Sequence, residues 1–161
     1  MHKQKFSFEI INYDSIDELT GSDFNLMQSS IASRQKAYAP YSNFLVGAAV
    51  LLENGEVVLG NNQENASYPA GICAERVAIT HAGAIHPDVK IKAVAISVSS
   101  KNHSVNKPAA PCGICRQSLM EYEQKQDAPI RILMMGETGR VIECSSVSDI
   151  LPLAFNSSFL G

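Results

Sequence analysis

The chain has 161 residues, with 13 basic against 16 acidic side chains and a formal net charge of −3 at pH 7. Its hydrophobic content of 45% is sufficient for one ordered globular domain with a sizeable core. We find no Lys/Arg cluster that would favour a nucleic-acid surface, no secretory signal and no apolar stretch long enough to cross a bilayer. The four cysteines of an untargeted chain favour metal or thiol chemistry in the cytoplasm over a disulfide framework.

The N-terminal segment is predicted to be an extension that precedes the main domain. It comprises residues 1–21, in which Phe6, Phe8 and Ile10 alternate with polar residues as they would in a strand. The single domain is then expected to span residues 22–161.

The first part of that domain predicts a helix followed by a β-hairpin. The helix is expected from about residue 22 to residue 37, because the residue before Pro40 avoids the helical conformation. Phe44–Leu52 is typical of a buried strand, and the Asn-Gly pair at 54–55 predicts a tight turn into a second strand at Val57–Gly60.

The remainder of the chain alternates helical and strand-like segments. Helices are predicted at residues 73–83, 112–124 and 147–153, and strands at residues 91–98, 130–135 and 141–144. This order predicts an α/β sandwich in which helices cover both faces of a sheet of about five strands.

Three cysteines lie where two of these helices are predicted to begin. Cys112 and Cys115 are three residues apart after Pro111, so their sulfurs share one helix face, and Cys73 begins another helix. Helix N-termini lower the thiol pKa toward the thiolate that zinc requires. Because catalytic zinc sites have three protein ligands and leave the fourth position to water, we predict one zinc ion at these three cysteines.

Glu75 lies two residues after Cys73 and is predicted to move protons. A carboxylate beside such a site can accept a proton from water and pass it to a ring nitrogen, and then to a departing amine. This indicates hydrolytic deamination at an amidine-like carbon. Three thiolates leave the centre formally negative, and Arg76 or Arg116 would offset this charge through hydrogen bonds to sulfur.

The alternative is a closed, purely structural zinc site with Cys144 as its fourth ligand. Such sites usually contain two cysteine pairs, whereas this sequence has one. Cys144 lies in a predicted strand with Val141 and Ile142, which favours a small core residue. Zinc coordination by histidine is disfavoured, because all four histidines lie outside both motifs; they are His2, His81, His86 and His103.

Further segments complete a resemblance to one family. They are Tyr38–Phe44 (YAPYSNF), Val46–Ala49 (VGAA), Asn62–Pro69 (NQENASYP), Cys73–Arg76 (CAER) and Pro111–Gln117 (PCGICRQ). Together with the Cys-x-Glu and Pro-Cys-x-x-Cys signature of zinc deaminases, the chain resembles the cytidine deaminases over roughly residues 22–155. The resemblance implies a three-layer α/β/α sandwich with a mixed sheet, one zinc per chain, and a homotetramer with shared active sites.

The resemblance also implies substrate-binding roles. Asn62 and Glu64 would hold the ribose, and Phe44 would pack against the pyrimidine. Tyr68 and Phe155 would contribute to the sites of neighbouring subunits. Without the resemblance, the residues alone favour a turn or cap for Asn62, a solvated charge for Glu64, and core packing for Phe44 and Phe155.

The expected reaction is deamination of free cytidine and 2′-deoxycytidine to uridine and 2′-deoxyuridine, with release of ammonia, in pyrimidine salvage. One alternative is a deaminase of another aminated heterocycle, of the blasticidin type, which the Asn62 and Glu64 pair disfavours. A non-catalytic zinc-binding module is disfavoured by Glu75, and polynucleotide editing by the lack of a basic stripe.

Overall fold

The computed structural model describes all 161 residues, which form six strands and four helices. The strands are β1 (Ile10–Tyr13), β2 (Phe44–Leu52), β3 (Val57–Asn61), β4 (Ile91–Ser100), β5 (Arg131–Met135) and β6 (Val141–Cys144). The helices are α1 (Gly21–Arg34), α2 (Ala74–Ile85), α3 (Gly113–Lys125) and α4 (Val147–Ile150). None of these helices combines the length and the apolar character that crossing a membrane requires.

The six strands form one mixed sheet in the order β1-β6-β5-β4-β2-β3. β2 and β3 pair antiparallel around Gly55, whose φ of 88° suits the glycine of the predicted Asn-Gly turn. β4 and β5 pair in parallel, with α3 in the connection between them. The mixed sheet confirms the predicted fold class.

The sheet contains six strands, not the five predicted from the sequence. The additional strand is β1, which lies at one edge and pairs antiparallel with β6. Three of its four residues are exposed, so this strand has no buried face to mark it in the sequence. The alternation of Phe6, Phe8 and Ile10 pointed to a strand slightly earlier in the chain than the one that forms.

Helices cover both faces of the sheet. Leu26 and Met27 of α1 pack on one face against Leu133 and its neighbours. On the other face, α2 and α3 contribute Ile79 and Leu119 to a larger core over the central strands. Burial on both faces therefore gives the three-layer sandwich.

Two glycines allow helices to lie directly on the strands. A Cβ atom at Gly60 of β3 would lie 2.5 Å from the backbone nitrogen of Ala78 in α2. At Gly47 of β2, it would lie 2.5 Å from the backbone nitrogen of Arg34 in α1. The close contact at Gly60 fixes the first turns of α2, which carry Glu75, against the sheet.

The segment around β1 is attached to the domain by polar contacts. Tyr13 Oη donates to Glu143 Oε2 at 2.8 Å, a hydrogen bond that raises the pKa of Tyr13 to about 12. Arg131 joins Glu143 to Asp23 of α1 through ion pairs of 2.9 and 2.7 Å. Residues 1–9, by contrast, are exposed throughout.

Candidate functional site

The structure brings Cys73, Cys112 and Cys115 together at the adjacent starts of two helices. Cys73 is the N-cap of α2, and Cys112 is the N-cap of α3. All three Sγ atoms lie within 4.8 Å of one another, and those of Cys112 and Cys115 are 3.6 Å apart. Cys115 is buried, Cys73 is half-buried and Cys112 is exposed.

The geometry and chemistry of this cluster fit one zinc ion. Two sulfurs that each bind tetrahedral zinc at about 2.3 Å lie roughly 3.8 Å apart, close to the spacing of Cys112 and Cys115. A hydrogen bond from the Cys115 thiol lowers the pKa of Cys73 to about 7, and the positive charge of Arg76 acts in the same direction. The cluster can therefore present a thiolate at neutral pH, as zinc binding requires.

Glu75 places a carboxyl group beside this cluster. It lies in the first turn of α2 and is only 5% exposed. Burial raises the pKa of Glu75, while hydrogen bonds from its own backbone N–H and from Cys115 oppose that rise. An acid–base group thus lies beside the cysteine cluster.

The two candidate arginines occupy different environments. Arg76 is half-buried on α2, where its charge helps to lower the pKa of Cys73. Arg116 instead donates through Nε to the carbonyl of Pro111 at 2.8 Å, and through Nη1 to that of Ile150 at 2.9 Å. Arg116 therefore holds the backbone before Cys112 and the end of α4, a contact that the sequence pattern did not predict.

A cleft of about 490 Å³ extends from Cys73. Asn62, Glu64 and Tyr68 line it together with Tyr41 and Ser42. Its volume lies within the range of small-molecule sites. No lysine or arginine is among the ten lining residues.

Glu64 is bound to the loop that forms one wall of the cleft. Its Oε2 accepts hydrogen bonds from the backbone N–H groups of Tyr41 at 2.9 Å and Ser42 at 3.2 Å, and its Oε1 accepts one from Ser42 Oγ. Burial opposes ionisation of this carboxyl, but these hydrogen bonds outweigh it and lower the pKa of Glu64. Sequence reasoning missed Tyr41 and Ser42, although both lie within the Tyr38–Phe44 motif.

Asn62 extends the pairing between two strands through its side chain. Its Oδ1 accepts from the backbone N–H of Val46 at 2.7 Å, and its Nδ2 donates to the carbonyl of Phe44 at 2.9 Å. These contacts fix the start of β2 next to the cleft. Phe44 itself is half-buried and does not line the cleft.

The two aromatic residues predicted to serve neighbouring subunits lie in different places. Tyr68 is 76% exposed at the cleft, where its ring lies edge-on to Tyr41 with the centroids 6.0 Å apart. Phe155 is 57% exposed, stacks on Phe159 and lies outside the cleft of its own chain. Cys144 is buried in β6, outside the cluster of three cysteines.

Comparison with known proteins gives a consistent result. Residues 21–127 match the family model of the cytidine and deoxycytidylate deaminase zinc-binding region. The chain is 38% identical over 132 residues to the cytidine deaminase of Halalkalibacterium halodurans, a match that covers 82% of this chain and 92% of the relative. It is 35% identical over 136 residues to that of Sporosarcina psychrophila, covering 84% and 92% of the two chains.

Solved structures agree with these sequence matches. The cytidine deaminase of Burkholderia pseudomallei superposes with a TM-score of 0.69 at 37% identity, covering 81% of this chain and 97% of the other. The enzyme of Mycobacterium tuberculosis gives a TM-score of 0.61 at 31% identity, covering 81% and 94%. Both the sequence and the fold therefore place this chain in the cytidine and deoxycytidylate deaminase family.

Proposed function

We propose that this protein catalyses the hydrolytic deamination of free cytidine and 2′-deoxycytidine to uridine and 2′-deoxyuridine, with release of ammonia. The observation that carries the proposal is the buried carboxyl group of Glu75 beside three cysteine sulfurs that fit one zinc ion. The relatives named cytidine deaminase support the same substrate class. The reaction would serve pyrimidine salvage in the cytoplasm.

Glu75 is the proposed proton carrier. Cys73, Cys112 and Cys115 would hold the zinc ion, which would act as a Lewis acid and make water a nucleophile at neutral pH. Glu75 takes the proton that water loses on attack at C4 and donates it to N3 of the base. It then takes the second proton from the hydroxyl group now on C4 and delivers it to the amino group. The C4–N bond breaks as the C4 carbonyl forms, so that one water is consumed and one ammonia is released.

The cleft provides the proposed nucleoside site. Asn62 and Glu64, which line the cleft, would bind the ribose hydroxyl groups, and Phe44, at the start of β2 beside the cleft, would pack against the pyrimidine. The Glu64 carboxylate uses three hydrogen bonds on its own chain, yet a carboxylate accepts about four, which leaves capacity for a hydroxyl. A nucleotide would bring its phosphate to a cleft that contains this carboxylate and no lysine or arginine, which favours the free nucleoside.

We further propose a homotetramer in which subunits share active sites. Tyr68 and Phe155 are large aromatic side chains that one chain leaves mostly exposed, as is typical of residues that contact a partner. Burial of Phe155 at the cleft of a neighbour would complete the site.

A panel of substrates tests the proposed function. Ammonia release is measured for the zinc-loaded protein with cytidine, 2′-deoxycytidine and cytidine 5′-monophosphate. Both nucleosides are expected to react, and the nucleotide to show at least about tenfold lower kcat/KM, equivalent to about 1.4 kcal/mol of repulsion. Zinc-loaded protein that leaves both nucleosides unchanged would refute the proposal and direct attention to other aminated heterocycles.

A further inference from the structure

Arg34 is a buried cation that makes no direct ion pair. It is the last residue of α1 and is only 4% exposed, and none of the three ion pairs in the chain includes it. Its Nε has no hydrogen-bond partner. Burial of this charge is costly and lowers the pKa of Arg34, and the negative charge of Glu137 opposes only part of that fall.

Those contacts join the ends of two neighbouring strands. Arg34 Nη1 donates to the carbonyl of Val98 at 2.9 Å and approaches that of Gly136 at 3.3 Å. Val98 lies near the end of β4, and Gly136 directly follows β5, which is parallel to β4. The guanidinium therefore holds together the point at which both strands end.

The turn after β5 packs against the loop that follows β4. The backbone N–H of Glu137 donates to the carbonyl of Val105 at 2.6 Å. A Cβ atom at Gly136 would lie 2.5 Å from that same oxygen and 2.8 Å from the carbonyl oxygen of Lys107. The backbone of Gly136 and Glu137 therefore lies directly against Val105–Lys107.

This loop leads to the most exposed of the three cysteines. The chain runs from Lys107 through a proline-bounded segment to Cys112, which is exposed, whereas Cys115 is buried within α3. Cys112 is the N-cap of α3, so its position is set on one side by that helix and by the contact of Arg116 with the Pro111 carbonyl, and on the other side by the loop that enters from Lys107.

We propose that Arg34 is a positioning residue, which acts through Gly136 and the Val105–Lys107 segment to keep Cys112 in place for zinc binding. This inference rests on the proposed zinc site, but not on the identity of the substrate. Arg34 itself does not contact the cysteines. It fixes the position of Gly136, against which the Val105–Lys107 segment packs.

Zinc retention separates this role from ordinary stabilisation. The rate at which zinc passes to a chelator is measured for zinc-loaded Arg34→Met and for wild type, at a temperature well below the Tm of each protein. The kcat and KM of both proteins are measured as well. Leu26→Ala is the matched control, because Leu26 is equally buried in α1 but belongs to the apolar core. We expect Arg34→Met to release zinc at least about tenfold faster than wild type. Leu26→Ala should have a lower Tm than wild type, with little change in its rate of zinc release.

Arg34→Lys, which keeps the charge and one donor group, should restore part of the retention. If Arg34→Met and Leu26→Ala release zinc equally fast at a similar loss of Tm, Arg34 has only a structural role. If Arg34→Met fails to fold, Gly136→Ala is used instead, because its Cβ atom would displace the turn after β5 from Val105–Lys107 while leaving Arg34 intact. A wild-type rate of zinc release by Gly136→Ala would overturn the proposal. Wild type that holds zinc but does not deaminate cytidine would refute the proposed function alone.

Discussion

Glu75 illustrates how a single residue links the fold to the proposed chemistry. Its carboxyl group is almost fully buried, because α2 rests closely on Gly60 of β3 and carries its first turn into the interior. Burial raises the pKa of a carboxyl group, so this residue holds its proton more readily than an exposed glutamate. A group that both accepts and donates a proton benefits from such an environment.

Arg76 is predicted to support turnover without being required for folding. It is half-buried, and its charge helps to lower the pKa of Cys73. Arg76→Met should reduce kcat by about tenfold or more, since removing a group that tunes metal ligands typically has effects of this size. Circular dichroism and Tm should remain close to wild type.

Arg140→Met is the matched control, because Arg140 is exposed in the turn between β5 and β6. If Arg76→Met turns over cytidine as fast as Arg140→Met, the charge of Arg76 has no role in catalysis.

The residues of the cysteine cluster could be predicted, whereas most of their neighbours could not. The spacing of Cys112 and Cys115 is local, so helix geometry alone brings the two sulfurs together. The partners of Arg116 are the carbonyls of Pro111 and Ile150, and the second of these comes near only through tertiary packing. A sequence pattern predicts contacts between residues that are close in the chain, but it does not show which distant residues meet when the chain folds.

At the scale of elements, hydrophobic pattern and turn chemistry predicted the five strands that have buried faces. The Asn-Gly pair correctly located the hairpin between β2 and β3. β1 was missed, because a mostly exposed edge strand is specified by its partner β6 rather than by its own apolar residues. The contact between Arg131, Asp23 and Glu143 likewise emerges only once α1, β5 and β6 are packed together.

Glu123 joins three elements and is predicted to make stability depend on pH. Its carboxylate accepts hydrogen bonds from the backbone of Ile130 before β5, and from Ser146, Val147 and Ser148 around the start of α4. Burial opposes the charged form, but these hydrogen bonds outweigh it and lower the pKa of Glu123. A carboxyl group with a lowered pKa stabilises the fold above its unfolded-state pKa, and this contribution is lost as the pH falls through the folded-state pKa.

Glu123→Gln should therefore lower the free energy of unfolding by about 2–3 kcal/mol at neutral pH. The difference from wild type should shrink as the pH falls below the ordinary range of glutamate. Urea unfolding at a series of pH values measures this, with the exposed Glu121→Gln on the same helix as the control. A difference that stays constant with pH would contradict the assignment to the ionised carboxylate.

At the scale of the whole molecule, exposed aromatic residues lead to the prediction of a tetramer. Phe155 and Tyr68 remain largely exposed in the single chain. Sedimentation equilibrium should give about four times the 17.4 kDa mass of one chain. A stable monomer that turns over cytidine would contradict the shared-site proposal.

A mixing experiment tests whether Phe155 acts on a neighbouring subunit. Phe155→Ala should raise KM for cytidine by about tenfold, from the loss of one buried aromatic contact. Co-expression with the inactive Glu75→Gln chain should restore some sites of normal KM, because such sites combine an intact Glu75 with Phe155 from the neighbour. A mixture that shows only the raised KM would mean that Phe155 does not act between chains.

The most direct test of the central claim compares wild type with Glu75→Gln for zinc content and cytidine deamination in the same preparations. We expect about one zinc per chain in both proteins, since the three cysteines are unchanged. Release of ammonia should fall by about 10²–10⁴-fold in the variant, because amide nitrogen cannot take up the proton that a carboxylate accepts. A Glu75→Gln protein that retains zinc and deaminates cytidine at the wild-type rate would contradict the account.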